Sequence, residues 1–130
     1  MKLEKKIVQW AEDKGILEGS TPVKQNEKTL EEVIETRDAL VQMEYANSLG
    51  YDSKIIQREI EDGIGDTIVT LIILAKMTGT DIESCLALAW AEIENRTGRI
   101  IGGKFVKDAD LKTDDYDENG AVVEGERNEK

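Results

Sequence analysis

Two acid clusters, Glu31-Glu32-Val33-Ile34-Glu35 and Glu59-Ile60-Glu61-Asp62-Gly63-Ile64-Gly65-Asp66, each lie within apolar, helix-forming sequence. At about 100° per residue, Glu32 and Glu35 share one face of a helix, and Glu59, Asp62 and Asp66 fall within a narrow stripe of another. If the two stripes face each other they make a divalent metal site. Two carboxylates ~5 Å apart repel by about 3 kcal/mol at an effective dielectric of 20, so four converging anions need at least one bound cation. An all-oxygen donor set with room for water suits Mg²⁺, or alternatively Mn²⁺. The competing reading is a solvated helix face whose acids pair with Lys28, Arg37 or Arg58. Asp66 decides between them: set between Ile64 and Thr67-Ile68-Val69-Thr70-Leu71, it is expected near the core, where an unpaired carboxylate is strongly disfavoured.

The chain has no histidine, which removes His-based triads, His general bases and the usual zinc sites. Any chemistry must use carboxylates, water and metal. A net charge of −11 argues against nucleic acid and anionic membrane surfaces as partners, since both reward Lys and Arg. A phosphate ligand would therefore need metal ions to neutralise it. There is no N-terminal signal pattern, and the longest uncharged apolar run, residues 67–75, is far short of the roughly 20 needed to span a bilayer. A cytoplasmic protein is expected. Cys85, the single cysteine, sits in the apolar pattern Ile82, Cys85, Leu86, Ala89 and is expected as a small buried hydrophobe.

The elements that must position the acids are helices. With one proline and no run of alternating β-branched residues before Gly98, the fold class is all-α, resembling a four-helix bundle. Helices are expected at residues 3–14, with Ile7, Val8, Trp10 and Ala11 inward; 25–47, with Leu30, Ile34, Val41 and Tyr45 on one stripe; 54–78; and from a Thr80-Asp81-Ile82-Glu83 capping box to about 97, with Trp90 in the core. The stretch 68–75 is apolar on every side, so part of it should pack against another subunit, giving a homodimer or homotetramer. Residues 99–106 suit a short extended excursion. One domain over 1–106 is expected, followed at 107–130 by a flexible acidic tail carrying nine acids against four bases. Gly98 to Lys104 imitates the start of a Walker A string, but Phe105 follows in place of Ser or Thr, and a helix rather than a strand precedes it.

The same residues carry a family resemblance. Glu31-Glu32-x-x-Glu35, followed some two dozen residues later by an acid-rich Gly-Asp step and an apolar helix, resembles the EExxE and ExxD signature of the MazG-like all-α nucleoside triphosphate pyrophosphohydrolases, relatives of the dimeric dUTPases and of phosphoribosyl-ATP pyrophosphohydrolase. The resemblance covers about residues 5 to 108 and is greatest to small phage-type members. It extends to Gln25-x-x-Lys28, to Glu92-Ile-Glu-Asn95-Arg96-x-Gly98-Arg99 and to Gly103-Lys104-Phe105-Val106-Lys107. One departure stands out: with Asp66 as the motif aspartate, the motif glutamate falls at position 63, where this chain has glycine. Asp62, on the stripe of Asp66, can substitute; alternatively Glu59-Ile60-Glu61-Asp62 is itself a literal ExxD.

The resemblance implies attack of water at the α-phosphorus of a nucleoside triphosphate, releasing nucleoside monophosphate and pyrophosphate. The expected metal ligands are Glu32, Glu35, Asp62 and Asp66, with Glu59 next, and Glu31 or Glu35 accepts the proton. Arg96, Arg99 and Lys104 would meet the phosphates; on a continued helix Arg96 and Arg99 are three apart and point one way. Lys28 belongs to the same motif, Gln25 or Asn95 would bond the base edge, and Trp10 either stacks on the base or packs in the core. The rival is a non-catalytic acidic helical binding protein in which Gly63 marks a decayed metal site.

Overall fold

A computed structural model describes residues 2–111. It is mostly helical, with α1 (Lys2–Asp13), α2 (Ile16–Gly19), α3 (Pro22–Leu49), α4 (Lys54–Met77) and α5 (Ile82–Ile93), then strands β1 (Gly98–Ile101) and β2 (Lys104–Lys107) and a 3₁₀ turn, Asp108–Asp110. All four expected helices are present. The single turn α2 and the two-stranded sheet are additions to the all-α expectation. The chain divides into two compact units, Met1–Leu86 and Ala87–Lys130. Of the acidic segment expected as a tail, residues 112–130 lie outside the described residues. No described helix is long and apolar enough to cross a membrane.

The first unit is organised by α3 against α4. Thr21 caps α3, its Oγ1 accepting from Lys24 N at 3.3 Å, and Pro22 occupies the first helical position, where its missing N–H costs nothing. Gly50, at φ 71°, ends the helix, and Tyr51 N donates to Ala46 O at 3.0 Å. The face that α3 buries consists of Gln25, Thr29, Glu32, Ala39 and Ala46, small or polar at spacings of three, four and seven. The larger Leu30, Ile34, Val41 and Tyr45, expected inside, are exposed. Close approach of two helices selects small side chains at the seam and turns bulky ones outward. On α4 the inward residues are Ile60, Gly63, Thr70, Ile72, Ile73 and Ala75, while Ile64 and Ile68 remain exposed.

At Gly63 the two helices approach too closely for a side chain. A Cβ there would collide with Thr36 Oγ1 and lie 3.2 Å from Thr36 Cβ. Thr36 is not free to swing away, because its hydroxyl donates to Glu32 O at 2.8 Å. Thus the glycine in the second acid cluster has a packing role.

The start of α5 is held by two carboxylates. Thr80, the expected cap, is instead committed to closing α4, its N–H donating to Ala75 O at 2.9 Å. The cap passes to Asp81, whose Oδ1 accepts from Ser84 N at 2.8 Å and whose Oδ2 accepts from Ser84 Oγ at 3.1 Å. Buried Glu4 of α1 accepts from Ile82 N at 2.8 Å, a donor the helix itself leaves unsatisfied. The Ser84 hydrogen bonds hold Asp81 below the usual carboxylate range. Because the folded value is lowered, this contribution to stability is present above the ordinary carboxylate pKa and is lost as pH falls through the folded value. Asp81→Ala should therefore melt at a lower temperature than the parent at pH 7, and the gap should close in acid, as followed by circular dichroism.

In the second unit, α5 stops at Ile93 and the chain turns into a hairpin whose pairs run from Gly98 opposite Lys107 to Ile101 opposite Lys104. Gly102 and Gly103, both at positive φ, form the two-residue turn such hairpins require. Gly98 admits no side chain, since a Cβ would meet Val106 O and lie 2.5 Å from Phe105 Cζ. Thr97 Oγ1 donates to Asp108 Oδ2 at 2.7 Å and closes the base. Ile101 and Val106 are buried. Trp90, expected in the core, is 59% exposed, and Cys85, expected buried, is exposed as well; no residue of α5 is buried. Periodicity identified an apolar helix but carries no information on what covers it.

Candidate acidic cleft

On α3, Glu35, Asp38, Ala39 and Gln42 follow one another at helical spacing along the edge of the seam with α4. Together with Glu59, Asp62, Gly63 and Asp66 they line a cleft of about 330 Å³. Five carboxylates and no cation line this space, although Asp38 Oδ1 is paired with Arg37 Nη2 at 3.0 Å. Four of them, Glu35, Glu59, Asp62 and Asp66, belong to the expected set. Asp38 and Gln42 were not expected; their signal lay in the sequence all the same, since they are three and seven residues after Glu35.

The structure separates the other two acids from the cleft. Lys28 Nζ lies 3.1 Å from Glu31 Oε2 and 3.5 Å from Glu32 Oε1. The hydrogen bond and charge of Glu31, with those of Glu32, raise the pKa of Lys28. Glu32 is the buried member, its side chain 11% exposed, and the neighbouring ammonium compensates its charge. Asp66 and Asp62 are exposed rather than close to the core. At this level α4 turns Ile60 and Gly63 inward, which leaves 62 and 66 on the outer lip, so the burial argument for Asp66 does not hold. Among the described residues no three such side chains stand close enough together to hold one metal ion. The donor chemistry nevertheless fits a hard divalent cation, since the side chains on offer are carboxylates and one amide, on two helices.

The remaining expected residues are distributed as follows. Gln25 is buried, and its Nε2 donates to Thr70 O of α4 at 3.1 Å, a clasp between the two long helices. Trp10 is exposed on α1. Asn95, Arg96, Arg99 and Lys104 belong to the second unit. There Arg96 Nη2 is 3.9 Å from Glu92 Oε2, and Arg99 and Lys104 stand on strands β1 and β2. Since α5 is not continued past Ile93, Arg96 and Arg99 do not share a helical face.

No family model matches the chain, and no solved structure matches it. It is 38% identical over 79 residues to an uncharacterized 18.2 kDa protein of the rep-hol intergenic region of Haemophilus phage HP1 (strain HP1c1), an alignment covering 61% of this chain and 41% of that protein. The matched segment thus spans less than half the length of that relative.

Proposed function

We propose that this chain is a Mg²⁺-dependent nucleoside triphosphate pyrophosphohydrolase of the MazG-like all-α type. The observation that carries the reading is the cleft where α3 and α4 present Glu35, Asp38, Glu59, Asp62 and Asp66, of which, among the described residues, only Asp38 has a cationic partner, Arg37. When bound there, Mg²⁺ or Mn²⁺ would offset phosphate charge and acidify a coordinated water. Glu35, Asp62, Asp66 and Glu59 would hold the ion, and an oxygen of Glu35 left free of it would accept the proton of the attacking water. Glu31 is the weaker candidate for that base, because Lys28 engages it. Glu32, an expected ligand, lies outside the cleft and is paired with Lys28. Roles for Asn95, Arg96, Arg99, Lys104, Gln25, Lys28 and Trp10 in substrate binding rest on the sequence resemblance alone.

Gly63 favours the catalytic reading over the decayed-site one. Its place at the helix contact explains the glycine without loss of function, and leaves Asp62 and Asp66 to flank it on the cleft side. The exposed apolar residues of α3 and α4, Val33, Leu40, Ile64 and Ile68 among them, support association with further copies as a homodimer or homotetramer.

The test is incubation of the purified chain with a panel of normal and damaged nucleoside triphosphates, with and without Mg²⁺, with products resolved by chromatography. Metal-dependent monophosphate and pyrophosphate are the expected products. A folded sample that turns over none of the panel would favour the binding-protein reading.

A further inference from the structure

Beside the acidic cleft, on the same helix, lies a second concavity of about 450 Å³ lined by Lys54, Arg58, Glu61 and Asp62. Asp62 is common to both. The helical wheel explains the arrangement: relative to Asp62, Asp66 and Glu59 stand about 40–60° to one side and Arg58 and Lys54 about 40–80° to the other. One carboxylate therefore marks the border between an anionic stripe and a cationic one. Lys54 and Arg58 are both exposed, and neither forms an ion pair with any described carboxylate, although Glu61 and Asp62 are near neighbours along the helix. Lys28, Arg37, Arg96 and Lys107 have acidic partners, that of Arg37 being Asp38 of the cleft. Lys54 and Arg58 are presented to solvent next to a cleft in which Glu35, Glu59, Asp62 and Asp66 have no cationic partner among the described residues.

We infer that Lys54 and Arg58 form an anion subsite for the distal phosphates of a polyphosphate whose metal-bound end lies in the acidic cleft. The inference rests on the reading of that cleft as a metal site, and assigns the phosphate tail to α4. The chemistry is complementary: a triphosphate carries more negative charge than one divalent ion neutralises. A guanidinium can bind phosphate oxygens in a fork, while an ammonium one turn away supplies a point charge. Glu61 works against the subsite and limits its affinity for phosphate in the absence of metal.

The experiment is calorimetric titration of the full chain with inorganic tripolyphosphate in the presence of Mg²⁺, alongside titration with Mg²⁺ alone. K54Q/R58Q should weaken tripolyphosphate binding by about tenfold or more, leave binding of Mg²⁺ alone unchanged, and keep the parent's melting temperature because both residues are exposed. K54R, which keeps both charges and the fork at Arg58, should bind like the parent. The inference is overturned if K54Q/R58Q binds Mg²⁺-tripolyphosphate as the parent does, or if the parent fails to bind it. Binding that depends on Lys54 and Arg58, in a chain that hydrolyses no nucleoside triphosphate, sustains the subsite and removes the pyrophosphohydrolase reading, so the two failures are distinguishable.

Discussion

Glu35→Gln and Asp62→Asn are each expected to lower Mg²⁺-dependent turnover of nucleoside triphosphates by on the order of 10²–10³-fold in kcat, the usual cost of removing one preorganised charge-stabilising group. Both replacements keep shape and exchange a charged oxygen for an amide. Both residues are exposed and line the cleft, so the fold does not depend on their charge. Indeed, without metal the variants should melt no lower than the parent, because each removes one of five like charges that repel one another. With Mg²⁺ the order should reverse. A ligand at one hundred times its dissociation constant stabilises the folded state by about 2.7 kcal/mol, a gain that the parent shows and the variants largely lose. Thermal melts with and without Mg²⁺, paired with product chromatography, read both effects. Equal turnover by parent and variants would remove the cleft from the chemistry.

Gly63→Ala should destabilise the chain while Gly65→Ala, two residues further along the same helix, should stabilise it. In an exposed helix interior the change from glycine to alanine gains about 0.8–1 kcal/mol. At Gly65 a Cβ meets nothing within 4 Å, and that gain should appear in full. At Gly63 it is set against overpacking of the seam, which typically costs 1–3 kcal/mol. The neighbour there is Thr36, whose branched side chain has little rotameric freedom and whose hydroxyl would lose its bond to Glu32 O by moving. The net effect is a loss of up to about 2 kcal/mol, read from the urea midpoint. Adding Thr36→Ala should recover most of it, and the double-mutant cycle isolates the contact. Two alanines of equal effect would mean that the helices do not meet at Gly63. The same geometry opposes Gly63→Glu, which would restore the glutamate of the resembled motif but press a longer side chain into the seam.

The sequence carried the helices and most of the acidic cleft, because both follow from a period of 3.6. Once residues 25–47 and 54–78 are helical, Glu35, Asp62 and Asp66 must lie on definite stripes. It did not carry which stripe of α3 faces α4. The apolar pattern pointed to Leu30, Ile34, Val41 and Tyr45, whereas the contact uses Gln25, Thr29, Glu32 and Ala39. A hydrophobic pattern records what is eventually buried, including by partners, while a close helix crossing is recorded by small residues. That Lys28 takes up Glu31 and Glu32 was legible only as the competing reading of a solvated face, since spacings of three and four residues permit a pair without requiring one. The hairpin was legible only as a short extended excursion over 99–106, because strands of four residues, interrupted by Gly102-Gly103, are too short for alternation to show their pairing.

The contact between Gly63 and Thr36 has two sides. Gly63 lines the acidic cleft, and Thr36 lines an apolar groove of about 350 Å³ formed with Val33, Arg37, Leu40, Ile64, Thr67 and Ile68. Cleft and groove therefore share a wall, and the separation of α3 from α4 sets the width of both. A ligand that moved one helix against the other in the cleft would therefore be felt in the groove, and by linkage an occupant of the groove would act back on the cleft with an equal coupling free energy.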